Sequence, residues 1–245
     1  MNVRFDYAGR RALVTGGTSG IGRAIAIAFA AAGAEVIATG VGAAEIEAAR
    51  GDPAMAGVRI EPLDVTDRAA VDALIGGLDR LDHVVTSAGI ILRDGEHDPD
   101  VFDKVIDVNL SGSMRVATAA RPLLARSKGS VVLVGSVMSF FGGPRQPAYS
   151  ASKGAIRNLT MSLACAYGPD GIRVNAVAPG WVMTNLSRGA RENPERNAHI
   201  LSRTALNRWA EPDEIADPVL FLCSEAARFM TGTVMLVDGG YTSWG

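Results

Sequence analysis

The chain of 245 residues is longer than one average domain but within the range of a single α/β domain. Apolar residues make up 48% of it, which is enough for a sizeable core, and its formal net charge is −2. A charge this close to zero provides no broad attraction to nucleic acid or to an anionic membrane, so we expect neither as a partner.

Short apolar runs rich in β-branched residues alternate with longer segments of helical periodicity. We predict strands at 12–16, 35–40, 58–64, 83–89, 130–136, 172–180 and 233–240. We predict the main helices at 21–32, 67–79, 101–127, 149–167 and 213–224. Continuous apolar strands that alternate with helices are typical of a parallel sheet covered on both faces. The sequence therefore predicts one doubly wound α/β domain over residues 1–245.

One polar stretch, from about Thr184 to Trp209, follows the sixth predicted strand and is rich in Arg and Asn. Ligands of open α/β sheets bind at the carboxyl ends of the strands, so this position favours a substrate lid at about 184–209. An ordinary solvated helix pair is the alternative. The arginines of this stretch could attract an anionic substrate or could serve subunit contacts, and they are Arg188, Arg191, Arg196, Arg203 and Arg208.

The sequence lacks the features of secreted, membrane-spanning and metal-binding proteins. The N-terminal segment has no apolar core of a signal peptide, and no apolar run reaches the length of a membrane span. Cys165 and Cys223 lie far apart without metal-ligand spacing, and the three histidines show neither ligand nor triad spacing. We therefore expect a cytoplasmic protein with free thiols and no metal site.

A glycine-rich segment joins the first predicted strand to the first helix. Gly16, Gly20 and Gly22 have the spacing G-x-x-x-G-x-G within TGGTSGIGRAIA. Glycine lets the backbone turn sharply and lets a diphosphate approach the helix N-terminus, where free N–H groups and the helix dipole favour anions. The segment predicts a nucleotide-binding loop, with a turn that serves packing alone as the alternative.

Tyr149 and Lys153 lie four residues apart in a predicted helix and therefore share one face of it. A free phenol has a pKa of about 10 and is a poor base near neutrality, but a nearby ammonium favours the phenolate. Such a phenol can donate a proton to a carbonyl oxygen or accept one from an alcohol. A tyrosine packed on a lysine stem is the alternative that the pair alone leaves open.

Several motifs in a fixed order give the chain a more specific resemblance. They are TGGTSGIG at 15–22, LDVTD at 63–67, SAG at 87–89, Asn109, Ser136, YSASK at 149–153, PGWVMT at 179–184 and VDGG at 237–240. With these motifs the chain resembles the short-chain dehydrogenase/reductase (SDR) family over nearly its whole length. The resemblance implies a Rossmann-type fold, a homotetramer, and hydride transfer between NAD or NADP and a secondary alcohol or ketone.

The resemblance also implies a role for each residue of the site. Tyr149 is expected to be the general acid/base, with Lys153 lowering its pKa and holding the nicotinamide ribose. Ser136 is expected to hydrogen-bond the substrate oxygen, and Asn109 to help hold a water relay to Lys153. The residues implied to contact the cofactor are Gly16, Ser19, Gly20, Ile21, Gly22, Gly40, Asp64, Val65, Ser87, Ala88, Gly89, Tyr149, Lys153, Pro179, Gly180, Val182 and Thr184.

Two positions depart from the family pattern. The fourth strand ends in Ser87-Ala88-Gly89 where Asn-Ala-Gly is usual, and serine lacks the two-ended hydrogen bonding of an amide. The second strand ends at Gly40, so the acid that favours NAD is missing from its usual place. Ser19 stands where NADP-binding members often carry a basic residue. The choice between NAD and NADP therefore stays open.

The expected substrate pocket combines apolar and polar side chains. The apolar candidates are Ile90, Leu92, Val137, Met138, Phe140, Phe141 and Trp181, and the polar candidates are Arg93, Arg145 and Gln146. Candidate substrates are a sugar or polyol, a hydroxy acid, or a 3-oxoacyl thioester. An SDR-fold epimerase or dehydratase-like enzyme, or a non-catalytic nucleotide-sensing protein, is the alternative function, because fold alone does not decide activity.

Overall fold

Parallel strands form the centre of the structure, and the computed structural model describes residues 5–243. The strands are β1 (Arg11–Thr15), β2 (Glu35–Gly40), β3 (Arg59–Pro62), β4 (His83–Thr86), β5 (Ser130–Val134), β6 (Arg173–Pro179) and β7 (Val234–Val237). Their order in the sheet is β3-β2-β1-β4-β5-β6-β7, and every neighbouring pair is parallel. The seven-stranded sheet predicted from the sequence is confirmed.

Helices cover both faces of this sheet. They are α1 (Gly20–Ala31), α2 (Ala43–Arg50), α3 (Arg68–Gly76), α4 (Pro99–Ile106), α5 (Gly112–Ser127), α6 (Pro147–Tyr167), α7 (Arg188–Arg191), α8 (Pro194–Arg203) and α9 (Asp213–Cys223). On one face α1 and α9 bury Phe29 and Ile215, and on the other face α5 and α6 bury Leu124 and Ile156. Within residues 5–243, none of these helices combines the length and apolar character that a membrane span requires.

The helix predicted over 101–127 is interrupted in the structure. It consists of α4 and α5 joined by one π-helical turn, Asp107–Ser111, and the buried Asn109 lies in that turn. Single π turns inside helices are rare and frequently occur at functional sites. The structure also adds α2, which was not predicted because its eight residues bury only Ile46 and Ala49.

The carboxyl ends of β1 and β4 mark the point where the order of the strands reverses. Thr15 of β1 and Thr86 of β4 are paired there, and the segments that follow the strands line a cavity of about 600 Å³. Open α/β sheets bind ligands at such a switch point. The fold therefore places the residues that follow the strands around one candidate site.

Candidate active site

The helix α6 carries Tyr149 and Lys153 on the wall of the cavity. Lys153 Nζ lies 5.5 Å from the centroid of the Tyr149 ring and donates a hydrogen bond to the carbonyl oxygen of Val134 at 2.7 Å. The lysine is buried, whereas Tyr149 is partly exposed to the cavity. Pro147 begins the helix, as proline favours the first helical position. The structure thus brings the predicted pair together.

Ser136 follows β5 and lies beside the Tyr149 hydroxyl, whose pKa it lowers. Ser136 Oγ accepts a hydrogen bond from the N–H of Met138 at 3.1 Å. Ser139 Oγ donates to the carbonyl oxygen of Lys153 at 2.6 Å and accepts from the N–H of Ser136 at 3.3 Å. These bonds connect the turn after β5 to α6, so the serine and the tyrosine are held at one place.

Burial controls the protonation of Tyr149 and Lys153. It raises the pKa of Tyr149 above its usual value, while the Ser136 hydroxyl and the charge of Arg93 act in the opposite direction. It lowers the pKa of Lys153 to about 8. In both cases desolvation disfavours the charged form. Arg93 is therefore a cation that lowers the Tyr149 pKa, an effect that the family resemblance assigns to Lys153.

The π-helical turn places the Asn109 amide against the loop that follows β4. Asn109 Oδ1 accepts from the N–H of Ile90 at 2.8 Å, and Nδ2 donates to the Ile90 carbonyl at 2.9 Å and to Ser152 Oγ at 3.2 Å. A Cβ added at Gly89 would lie 3.3 Å from Asn109 Oδ1 and 3.7 Å from Lys153 Nζ. The amide and the ammonium therefore border the same small space, and the water relay between them stays a prediction.

The glycine loop after β1 leads directly into α1 and forms one wall of the cavity. A Cβ at Gly22 would lie 2.1 Å from the carbonyl oxygen of Gly16, and one at Gly16 would lie 2.7 Å from Ala88 Cα. Ser19, the N-cap of α1, makes no side-chain capping bond, and the first turn contains no acidic residue. The N–H groups at this helix end are left for an anion, so the loop fits a dinucleotide diphosphate.

Every residue predicted to contact the cofactor lines the cavity, including those on the segments after β2, β3, β4 and β6. Ser136, Tyr149 and Lys153 line it as well. Asn109 is buried beneath the cavity wall and reaches it through the loop it binds. The individual contacts to a cofactor stay predictions, but the structure brings all of these residues together.

Known proteins similar to this chain are dehydrogenases and reductases. A family model described as enoyl-(acyl carrier protein) reductase matches residues 16–242. The 2-dehydro-3-deoxy-D-gluconate 5-dehydrogenase of Pseudoalteromonas atlantica is 38% identical, and the match covers 98% of this chain and 99% of that protein. A galactitol 2-dehydrogenase (L-tagatose-forming) of Cereibacter sphaeroides is 40% identical, with 98% of each chain covered. The solved structure of a candidate NAD(P)-dependent gluconate 5-dehydrogenase from Beutenbergia cavernae, with NADP bound at low occupancy, has a TM-score of 0.90 at 35% identity and covers 98% of this chain and 100% of that chain.

The chain is a short-chain dehydrogenase/reductase. This SDR is an NAD(P)-dependent oxidoreductase that transfers hydride between the cofactor and an alcohol or ketone substrate. The family resemblance drawn from the sequence motifs is confirmed, and so is the Rossmann-type fold. The epimerase, dehydratase-like and sensor alternatives have no support among these relatives.

Part of the predicted apolar set lines the substrate end of the SDR cavity. The predicted members that line it are Ile90, Val137, Met138 and Trp181. Ile91 and Leu186 also line the cavity, although they were not predicted. Leu92 and Phe140 are exposed, and Phe141 packs against Tyr241 with the ring centroids 5.9 Å apart. These three predicted residues do not line the cavity.

Two of the three predicted polar anchors line the cavity of the SDR, and they are Arg93 and Gln146. Arg145 instead forms an ion pair with Asp94 outside it. Arg93 Nη1 donates to the carbonyl oxygen of Leu186 at 3.3 Å. The Nε of Arg93 is buried without a hydrogen-bond partner among the residues that the structure describes. Burial leaves the guanidinium of Arg93 poorly solvated and thereby lowers its pKa.

The arginines of the segment 184–209 do not line the cavity. Arg203 lies 4.8 Å from the centroid of the Tyr241 ring, and Arg208 forms an ion pair with Glu214. The segment contains α7 and α8, and only its first few residues reach the cavity. These contacts favour a structural role for Arg203 and Arg208.

Glu96 belongs to the site although no sequence motif includes it. Its carboxylate is buried, and its two oxygens accept hydrogen bonds from the N–H groups of Leu92 and Tyr149, each at 2.8 Å. Tyr149 is the third residue of α6, so Glu96 caps the N-terminus of the helix that carries it. A single acid in a loop gave no signal for this role, because the helix that it caps lies 53 residues further along the chain.

Proposed function

We propose that this SDR oxidises a secondary alcohol group of a small hydroxy acid, of the sugar-acid class, and reduces the corresponding ketone. The nicotinamide cofactor, when bound, supplies or accepts the hydride. Tyr149 takes the proton from the substrate hydroxyl during oxidation and returns it to the ketone oxygen during reduction. Ser136, which lies beside the Tyr149 hydroxyl, donates a hydrogen bond to the same substrate oxygen.

The remaining residues of the group support Tyr149. Lys153 holds the nicotinamide ribose from the same helix face, and Asn109 helps to hold the water that connects Lys153 to solvent. The support for these roles is their arrangement, because Lys153 Nζ and Asn109 Oδ1 border the space next to Gly89. The whole site lies in one cofactor-binding domain, and the segment 184–209 acts as its lid.

The proposed substrate class rests on one observation: the Nε of Arg93, in the wall of the cavity, is buried without a hydrogen-bond partner among the described residues. The charge of Arg93 lowers the pKa of the Tyr149 phenol, which indicates that the guanidinium lies close to it. A substrate carboxylate beside Arg93 would supply the missing acceptor in a charge-assisted hydrogen bond, whereas a neutral substrate without an acceptor there would leave a buried donor unpaired. The relative from Pseudoalteromonas atlantica, which is named for a sugar acid, is consistent with this class.

A substrate panel tests the proposal. It contains a sugar acid, the neutral polyol of the same chain length, and a 3-oxoacyl thioester, each assayed with NAD and with NADP. We expect kcat/KM for the acid to exceed that for the polyol by at least about tenfold, as one charge-assisted hydrogen bond would provide. Arg93→Met should abolish this preference, and Arg145→Met, which removes a guanidinium paired outside the cavity, should keep it.

Tyr149→Phe tests the chemistry separately, because it keeps the ring and removes the hydroxyl. Turnover should fall by at least ~10²-fold, the usual share of general acid–base catalysis, while cofactor affinity is retained. Near-normal turnover in this variant would overturn the role of Tyr149. The sugar-acid assignment would be overturned if a polyol or thioester were the best substrate of both the unmodified enzyme and Arg93→Met.

We further propose that the enzyme is a homotetramer. The support is the family resemblance together with exposed apolar side chains on the expected contact surfaces. Met114 of α5, Met161 of α6 and Leu236 of β7 are all exposed. The C-terminal segment VDGGYTSWG is expected near a second interface, and its last two residues lie outside the described ones.

We propose a cytoplasmic location on the basis of the cysteines. Both Cys165 and Cys223 are free, and unpaired thiols suit a reducing compartment.

A further inference from the structure

The end of β2 is filled by a side chain from the glycine loop. Gly40 is the last residue of β2, and a Cβ added there would lie 2.2 Å from Thr18 Oγ1. Thr18 is buried, and its hydroxyl donates a hydrogen bond to Glu45 Oε1. Thr18 therefore occupies the space that a side chain at position 40 would need, and it fixes a carboxylate from α2 beside it.

Glu45 faces the cavity at the end where the adenosine half of a dinucleotide binds. It lines the cavity together with Gly40 and Asp64, and the diphosphate loop adjoins them. In dinucleotide-binding folds of this type, an acid near the end of the second strand hydrogen-bonds the ribose hydroxyls. Here the strand ends in glycine, and a carboxylate reaches the same end of the cavity from the next helix.

Within residues 5–243, the charged side chains on the walls of this end of the cavity are negative. The charged residues that line it from the glycine loop and from the segments after β2 and β3 are Glu45 and Asp64. The positively charged residues of the cavity wall, Arg93, Lys104 and Lys153, belong to the loop after β4, to α4 and to α6. A phosphate at this end would therefore meet carboxylates without a cation from the surrounding segments.

Two arginines on the neighbouring helices are engaged elsewhere. Arg23 of α1 forms an ion pair with Asp52, and Arg50 of α2 donates to the carbonyl oxygen of Ile60 at 3.1 Å. Neither arginine lines the cavity. They do not compensate the charge of Glu45.

We propose that Glu45, positioned by Thr18, makes this enzyme select NAD over NADP. The carboxylate accepts hydrogen bonds from the adenosine ribose hydroxyls and repels a 2′-phosphate, for which the surrounding segments provide no positive partner. The solved relative that holds NADP shows that similar chains bind the phosphorylated cofactor. The side chains at positions 18, 40 and 45 are the basis for the preference for NAD proposed here.

Equilibrium binding of NAD⁺ and NADP⁺, measured by titration calorimetry without substrate, tests this proposal. The unmodified enzyme should bind NAD⁺ at least about tenfold more tightly, as one close charge interaction near a protein surface would provide. Glu45→Gln should narrow the ratio of the two dissociation constants about five- to tenfold, chiefly through tighter NADP⁺ binding. Thr18→Val should also narrow the ratio of the two dissociation constants, because the Glu45 carboxylate loses its hydrogen-bond donor.

Glu47→Gln is the matched control. Glu47 lies on the same helix and is exposed, but it does not line the cavity, so its variant should keep the ratio of the unmodified enzyme. Equal affinity for both cofactors, or tighter binding of NADP⁺, in the unmodified enzyme would overturn the proposal. An unchanged ratio in Glu45→Gln would overturn it too. These constants need no turnover, so they stand even if the substrate panel rejects a sugar acid.

Discussion

Burial biases Tyr149 and Lys153 toward their neutral forms, because it raises the pKa of the phenol and lowers that of the ammonium to about 8. A neutral phenol is the acid that ketone reduction requires, whereas alcohol oxidation requires the phenolate. The groups around Tyr149 act in opposite directions: the Ser136 hydroxyl and the charge of Arg93 lower its pKa, and the charge of Glu96 raises it. In the mechanism proposed above, these neighbours therefore set the pH range in which each direction of the reaction runs.

Glu96→Gln removes the negative charge near Tyr149 and keeps the shape of the side chain. The pKa of Tyr149 should fall, so the pH profile of kcat/KM for alcohol oxidation should move to lower pH by ~0.5–1 unit. One of the two N–H groups that Glu96 binds also loses its acceptor, which should reduce the free energy of unfolding by ~1 kcal/mol. Steady-state kinetics over a pH series measure the first effect, and urea denaturation measures the second.

Asp94→Asn provides the control for this variant. Asp94 lies in the same loop, but it pairs with the exposed Arg145 and does not contribute to the pKa of Tyr149. Its variant should keep the pH profile of the unmodified enzyme. A profile that stays in place in a folded Glu96→Gln enzyme would show that the charge of Glu96 does not control Tyr149.

At the scale of elements, local patterns could be predicted and contacts between distant segments could not. The Tyr149–Lys153 pair follows from helical spacing alone, and the parallel strands follow from short apolar runs. The Glu96 cap of α6 joins residues 53 apart, and the Thr18–Glu45 bond joins residues 27 apart. Neither has a periodicity that a single sequence could reveal.

The π-helical turn that holds Asn109 could not be predicted for a different reason. The apolar residues before and after Asp107–Ser111 both suit a helix, and one wider turn between them leaves no compositional signal. The motif gives Asn109 an expected role, but it could not predict that the amide binds both backbone groups of Ile90.

The segment 184–209 gives a prediction at the scale of elements. A hydrogen bond from Arg93 to the carbonyl oxygen of Leu186 joins its start to the loop after β4, and Leu186 is exposed. If the segment closes on substrate, amide hydrogen exchange from 184 to 191 should slow by at least about tenfold when cofactor and substrate are both bound. The buried end of α9, residues 219–223, lies beyond the Arg208–Glu214 ion pair, so it should show no change and serves as the internal control. Equal exchange across 184–209 in the free and filled enzyme would exclude a lid.

At the scale of the whole molecule, one group whose protonation opposes folding, His83, lies in the core rather than in the site. His83 begins β4, its ring stacks on Phe29 with the centroids 5.9 Å apart, and its Nδ1 lies 2.9 Å from Ser130 Oγ. Burial lowers the pKa of His83 to about 4. Protonation of this ring would place an imidazolium charge among apolar side chains, so protonation and folding oppose each other.

The stability of the enzyme should therefore fall in mild acid. In the unfolded chain the His83 pKa is about 6.5, so between about pH 6.5 and pH 4 the unfolded state binds a proton that the folded state does not. The free energy of unfolding should decrease by ~1.6 kcal/mol between pH 6.5 and pH 5 through this group alone. Urea denaturation at several pH values measures the slope. His83→Gln should flatten it, and His97→Gln, which changes an exposed histidine, should keep it. Equal slopes for the unmodified enzyme and His83→Gln would assign the acid sensitivity to another group.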